Sequence, residues 1–181
     1  RELGARAALW ADAAAGVLRR AVESASALPR PENCEDAGTR DAADPPPPAA
    51  EPVRLALARV RALAAAGKYD EALALAREQQ QVPVEHPATE AELQLALGET
   101  LDDAGQPQPA RAALHAATRL ALQAGDDRLA LAAATGLANV VGIVLSHYDD
   151  GEGWLQVAEG LAARLPAGRE HITLARASCN F

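Results

Sequence analysis

A short loop phrase recurs three times along this chain, each time between two stretches with the periodicity of amphipathic helices. The copies are Gly-Lys-Tyr-Asp-Glu-Ala at 67–72, Gly-Gln-Pro-Gln-Pro-Ala at 105–110 and Ser-His-Tyr-Asp-Asp-Gly at 146–151. Counted from Tyr69 to Pro107 and from Pro107 to Tyr148, the spacings are 38 and 41 residues. A period of this size is typical of stacked helical hairpins, which bind partners more often than they catalyse reactions.

Composition favours an all-α chain. Its 181 residues suffice for one domain or a short solenoid with a buried core. Alanine and leucine are strong helix formers and supply most of the apolar residues, whereas aromatic residues make up only 3%. The net charge is −8 and the cations are scattered, so we expect no nucleic-acid binding, which requires concentrated positive charge.

The chain contains no methionine and opens on Arg1, so we interpret it as a fragment of a larger protein. Its two cysteines, Cys34 and Cys179, lie far apart in the sequence and have no neighbouring Cys or His at the spacing of a metal site. The sequence alone does not decide whether they form a disulfide with each other. We expect no metal or cofactor.

Three regions are predicted: an N-terminal helix and loop at 1–43, a proline-rich spacer at 44–52, and helical hairpins at 53–181. An apolar stripe predicts a long helix over residues 2–27, which either docks against the first hairpin or forms a coiled-coil seam. The stripe consists of Leu3, Ala7, Trp10, Ala14, Val17 and Ala21. The spacer is expected to be extended and semi-rigid. Alternatively, it could serve as a ligand for an aromatic-lined recognition domain.

Three hairpins and the start of a fourth follow. The predicted helices are 52–66 with 69–80, 89–104 with 107–124, and 126–145 with 149–165, and residues 169–181 begin the next pair. Gly67 fits the left-handed residue after a helix, Thr89 with Glu92 fits a capping box, and Asp126 fits an N-cap. Residues 129–148 carry no formal charge and are long enough to span a bilayer, but their phase with the repeat favours a buried helix.

Small residues recur where helix backbones must approach closely: Ala72, Gly98, Ala110, Ala117, Gly151 and Ala158. Large residues are expected to fill the space between them: Leu63, Leu73, Leu101, Leu114, Leu155 and Leu161. This pattern resembles the tetratricopeptide (TPR) repeat, although Arg59-Val60 replace the usual Leu-Gly and the usual early Trp is absent. The resemblance implies a right-handed superhelix of three TPR-like hairpins with an extra N-terminal helix.

Further motifs follow one another in a characteristic order. They are Leu28-Pro29, Cys34-Glu35-Asp36-Ala37, the spacer, the phrase at 66–72, Asn139-Val140-Val141-Gly142, and the segment 147–151 with Trp154. The series is similar to the TPR region after the kinase domain of large bacterial serine/threonine protein kinases. That resemblance implies a signalling role. If a membrane span separates the kinase from this region, as in many members of that family, the region would lie outside the cytoplasm. The resemblance also implies a cysteine upstream of Arg1 that could pair with Cys34. Without the kinase the chain would be cytoplasmic.

The chain itself carries no kinase motif, neither a glycine-rich loop with its lysine, nor His-Arg-Asp, nor Asp-Phe-Gly. We therefore expect no catalysis by these residues, whatever the activity of the parent protein. His147, Asp149, Asp150 and Glu152 form an acidic turn without the spacing of a calcium loop, and we interpret its carboxylates as partners of a helix dipole.

The predicted binding site is a concave groove lined by the first helix of each hairpin. Its residues are Arg54, Leu57 and Arg61 from the first hairpin and Leu95, Glu99, Asp102 and Asp103 from the second. Such a groove, basic and then acidic, suits an extended peptide or a partner helix. The predicted function is a non-catalytic protein–protein interaction or sensory module of a kinase. The alternative is a stand-alone TPR adaptor or chaperone-like scaffold.

Overall fold

The computed structural model describes residues 4, 5, 7, 8, 46–83 and 85–165. After a 3-10 turn at Pro48–Ala50, this part of the chain forms the helices α1 (Glu51–Ala65), α2 (Tyr69–Gln79), α3 (Pro87–Asp103), α4 (Pro107–Ala124), α5 (Asp127–Leu137) and α6 (Tyr148–Ala162). A π-helical segment, Ala138–Val144, continues α5. The described residues contain no strand, which confirms the all-α prediction.

Several predictions fall wholly or mostly outside the described residues. They concern the helix at 2–27, of which only residues 4, 5, 7 and 8 are described (all helical), both cysteines, and the start of a fourth hairpin at 169–181. The proline-rich spacer is described from residue 46. Pro47 is extended, with φ −64° and ψ 155°. The prediction of an extended spacer is wrong for residues 48–52, because Pro48–Ala50 form the 3-10 turn and Glu51 and Pro52 already belong to α1.

The recurring phrase marks the points where the chain reverses. Gly67 and Gly105 adopt left-handed φ values of 78° and 70°, and Ser146 takes the equivalent place with φ 59°. Gly125, between α4 and α5, is also left-handed. After each of the three glycines, the next residue donates its N–H to the carbonyl five residues earlier, at 2.9, 2.8 and 3.0 Å. This is the Schellman arrangement, which satisfies the last carbonyls of a helix and turns the chain back.

The helix starts depend on prolines and on side-chain caps. Pro52, Pro87 and Pro107 lie in the first turns of their helices, where a missing N–H costs no hydrogen bond. The prediction for Asp126 is confirmed, because its Oδ1 accepts the N–H of Leu129 at 2.9 Å.

The predicted capping box at Thr89 is wrong. Pro87 allows α3 to begin two residues earlier than expected, so the N-cap falls on His86. The Nδ1 atom of His86 accepts the N–H of Thr89 at 3.2 Å.

Each helix packs against its neighbour in sequence, and α1 also contacts α3, as α3 contacts α5. The larger of two core clusters draws residues from α1 to α5 and the π-helical segment, and the smaller lies mainly between α4, α5 and α6. All the small residues noted in the sequence are buried, as are the large ones except Leu155, which is half-buried.

The helix that resembles a membrane span lies within this arrangement. By length and composition, Asp127–Val144 could cross a bilayer, and it is the one such stretch among the described residues. Half of it is buried by the rest of the fold, and the core helix of a soluble protein passes the same test.

A close approach between helices is centred on Leu114 of α4. A Cβ atom added to Gly98 of α3 would lie 2.7 Å from Leu114 Cγ and 3.2 Å from its backbone nitrogen. A Cβ added to Gly136 of α5 would lie 3.2 Å from Leu114 Cδ2. Leu114 is 1% exposed, so it occupies a space that exists because both neighbouring helices lack a side chain there.

Gly98→Ala is expected to lower the free energy of unfolding by about 1–3 kcal/mol, because Leu114 or the α4 backbone must shift. The matched control is Gly160→Ala in α6, where nothing lies within 4 Å of the added Cβ. This control should stabilise the fold by about 0.5–1 kcal/mol through its helix propensity. Chemical denaturation measures both; equal changes in the two variants would contradict the close approach.

Candidate functional site

Two residues of the predicted groove belong to the core. Leu57 is 1% exposed and Leu95 is 5% exposed, and both lie in the larger core cluster. The reason is that α1 packs on both α2 and α3, and α3 packs on four helices, so each buries more than one face. These leucines support the surface from beneath and do not form it.

The charged residues of the prediction lie at the surface, and one of them connects two helices. Arg54 Nε lies 3.8 Å from Glu92 Oε2, and both side chains are 28% exposed, which links α1 to α3. Arg61 is half-buried, whereas Glu99 and Asp103 are exposed, and all three take part in further polar contacts. We call the surface formed by Arg54, Arg61, Glu92, Glu99, Asp102, Asp103 and Asn139 the polar face.

Asp102 connects α3 to the π-helical segment. Its half-buried carboxylate accepts a hydrogen bond from the side chain of Asn139. Burial raises the pKa of Asp102 above its ordinary value, and the neighbouring charge of Asp103 raises it further, while the hydrogen bond from Asn139 opposes both effects. The polar face therefore includes a carboxylate whose negative charge is disfavoured by its surroundings.

A second surface, which the sequence reasoning missed, lies between α4 and α6. Two adjoining hollows of about 510 and 470 Å³ share His115, Trp154 and Val157. The rings of His115 and Trp154 meet edge to face, with centroids 5.6 Å apart and planes at 89°. We call this surface the α4–α6 groove. Its sequence signal is the spacing of His115 and Leu122, which places both on one side of α4.

The acidic turn holds a shallow hollow of about 320 Å³, lined by residues 146–150. Asp149 and Asp150 lie in the first turn of α6, where negative charge is favoured by the helix dipole. Across the described part of the chain, no three His, Cys, Asp or Glu side chains come together as a metal site would require.

No family model, curated protein or solved structure matches this chain.

The raised pKa of Asp102 predicts a pH-dependent stability. Between the ordinary value near 3.8 and the raised value, the folded state binds more protons than the unfolded state, so the contribution of Asp102 to stability falls as pH rises through this window. Asp102→Asn removes this effect and retains an acceptor for Asn139. The free energy of unfolding of the variant, minus that of the wild type, should therefore increase across the window and become constant above it.

Urea denaturation from pH 3.5 to 8 measures this difference. Glu159→Gln, which changes an exposed carboxylate on α6, is the control. Asp103→Asn should weaken the pH dependence without abolishing it, because burial is the larger cause. A difference between Asp102→Asn and wild type that does not vary with pH would contradict the assignment.

Proposed function

We propose that this chain is a non-catalytic, TPR-like interaction module that binds a peptide or a partner helix on the polar face. The observation that carries the proposal is the contact between alternate helices, α1 with α3 and α3 with α5. Stacked helical hairpins bring the first helix of each unit together in this way, and the resulting surface is where such solenoids bind partners. The proposal includes a right-handed superhelix of three hairpins.

Bridges between the alternate helices support a surface of fixed geometry. The Arg54–Glu92 ion pair joins α1 to α3, and the Asp102–Asn139 hydrogen bond joins α3 to the π-helical segment. Side chains held at defined distances lose less conformational entropy when a partner binds. The bridging residues therefore position their neighbours for recognition, namely the half-buried Arg61 and the exposed Glu99 and Asp103.

The charge of the polar face suggests the chemistry of its partner. Cations come from α1, as Arg54 and Arg61, and carboxylates come from α3, as Glu92, Glu99, Asp102 and Asp103. We expect a partner segment with acidic residues towards α1 and basic residues towards α3. Charge complementarity of this kind mainly determines specificity and the association rate.

The proposal treats Asp127–Val144 as a core helix, because half of it is buried and both α4 and α6 pack against it. The kinase association is part of the proposal and rests on the order of the sequence motifs alone. Reading the gene upstream of the Arg1 codon tests it. A kinase domain followed by a hydrophobic span would support the kinase association, whereas an unrelated upstream reading frame would exclude it.

Charge reversal tests the polar face. A peptide selected from a random display library against the wild-type protein provides the probe, and isothermal titration measures its affinity. Glu99→Lys and Arg61→Glu should each weaken binding at least fivefold, equivalent to about 1 kcal/mol.

The matched controls are Glu159→Lys on α6 and Arg77→Glu on α2, which make the same changes in net charge at exposed positions away from the polar face. Both should bind the peptide as the wild type does. Equal affinity in all four variants would exclude the polar face as the binding surface. Circular dichroism confirms that each variant is folded.

A further inference from the structure

The α4–α6 groove exposes apolar side chains on both of its walls. Leu122 of α4 is 46% exposed and Val157 of α6 is 40% exposed. Leu137 and Val141, which are almost completely buried, line the inner part of the groove, and Trp154 lies half-buried between them and the surface. Exposed apolar area of this kind, with charged residues around it, is typical of protein–protein contacts.

The two walls of the groove carry opposite charges. Helix α4 contains no Asp or Glu, and both of its arginines, Arg111 and Arg119, are exposed. Helix α6 contains no Lys or Arg, and it exposes four carboxylates: Asp149, Asp150, Glu152 and Glu159. Within the described part of the chain, no ion pair joins the basic wall to the acidic wall. Both sets of charges are therefore available to an occupant with the complementary pattern.

The walls also run in the same direction. The hollow of about 470 Å³ is lined by Arg111 together with Asp149 and Asp150. The hollow of about 510 Å³ is lined by Leu122 together with Val157. The beginning of α4 thus lies level with the beginning of α6, and the apolar residues of both walls lie level further along.

We propose that two copies of this chain associate face to face through the α4–α6 groove, about a two-fold axis parallel to α4 and α6. This axis places α4 of each copy against α6 of the other. Arg111 then meets Asp149 and Asp150 of the partner copy, and Leu122 meets Val157 of the partner copy. Every contact occurs twice, as two-fold symmetry requires.

Charge complementarity selects both the occupant and the axis. A two-fold axis across the helices would place α4 on α4 and α6 on α6, so that arginines face arginines and carboxylates face carboxylates. Like charges held opposite each other disfavour association. With the axis along the helices, a second copy matches the basic and the acidic wall at once, because it carries the same two walls in exchanged positions.

The size of the surface predicts a weak dimer. The 15 residues of α6 are about 22 Å long, and two adjacent helices are about 20 Å wide, so the two copies together bury roughly 900 Å². Interfaces below about 1,200 Å² belong to transient complexes, and we expect a dissociation constant of about 10–100 μM. Salt should weaken the dimer, because the ion pairs lie at its rim.

Sedimentation equilibrium on the full chain measures this association. The wild type should change from monomer to dimer as its concentration is raised from about 1 μM to 1 mM, in keeping with the expected dissociation constant. Val157→Arg should weaken the dimer at least tenfold by placing a charge in the apolar strip. Val82→Arg is the matched control, because Val82 is 44% exposed in the segment between α2 and α3, and it should dimerise as the wild type does.

A mixing experiment tests the charge pairing and leaves the apolar residues intact. The acidic variant carries Arg111→Glu and Arg119→Glu, and the basic variant carries Asp149→Lys and Asp150→Lys. Each variant alone has two walls of the same sign, so each should be monomeric at concentrations where the wild type is a dimer. An equimolar mixture should form a heterodimer, which also shows that both variants are folded.

Four outcomes would overturn the proposal. The wild type could remain monomeric at 1 mM, the upper end of the range (about ten times the expected dissociation constant). The Val157→Arg variant could dimerise as strongly as the wild type, which would place the contact on another face. The mixture of acidic and basic variants could remain monomeric. Finally, a dimer that becomes stronger with salt would indicate that walls of like charge face each other.

Discussion

The packing of Leu114 between Gly98 and Gly136 is the contact on which the arrangement of the helices depends. A leucine on α4 reaches both α3 and α5 because those helices carry no side chain at the facing positions. This contact brings three consecutive helices, α3, α4 and α5, together at one side chain. Interiors are close-packed, and a change of one methyl group at such a point moves a helix and not merely a side chain. The polar face and the α4–α6 groove both include residues of these helices.

Local signals explain why the helix bounds were predictable. For the described helices, with the π-helical segment counted as part of α5, the predicted ends lie within three residues of the observed ones. The reason is that prolines, a glycine after the helix and an aspartate before it act over one or two turns. Two positions departed from these rules. His86 caps α3 through a ring nitrogen, which a search for Ser, Thr, Asp or Asn misses, and Ser146 adopts a left-handed conformation that usually favours glycine. His86 and Ser146 therefore fill roles, the N-cap and the left-handed turn residue, that other residue types usually fill.

The candidate surfaces were harder to predict, because exposure depends on which helices meet. Leu57 and Leu95 have the spacing of groove residues, yet α1 and α3 each pack on several helices and bury them. The α4–α6 groove depends on the opposite circumstance, since α4 and α6 both pack against α5 and leave apolar surface exposed between them. Periodicity identifies an apolar stripe on one helix, but it does not say whether another helix covers that stripe.

The π-helical segment shows how one local distortion serves both surfaces. Val140 and Val141 of this segment are almost completely buried, while Asn139 beside them donates a hydrogen bond to Asp102. Val141 contributes to the inner wall of the α4–α6 groove, and Asn139 contributes to the polar face. A regular α-helix advances 100° per residue and would separate these directions differently. The same short segment therefore positions a residue of each candidate surface.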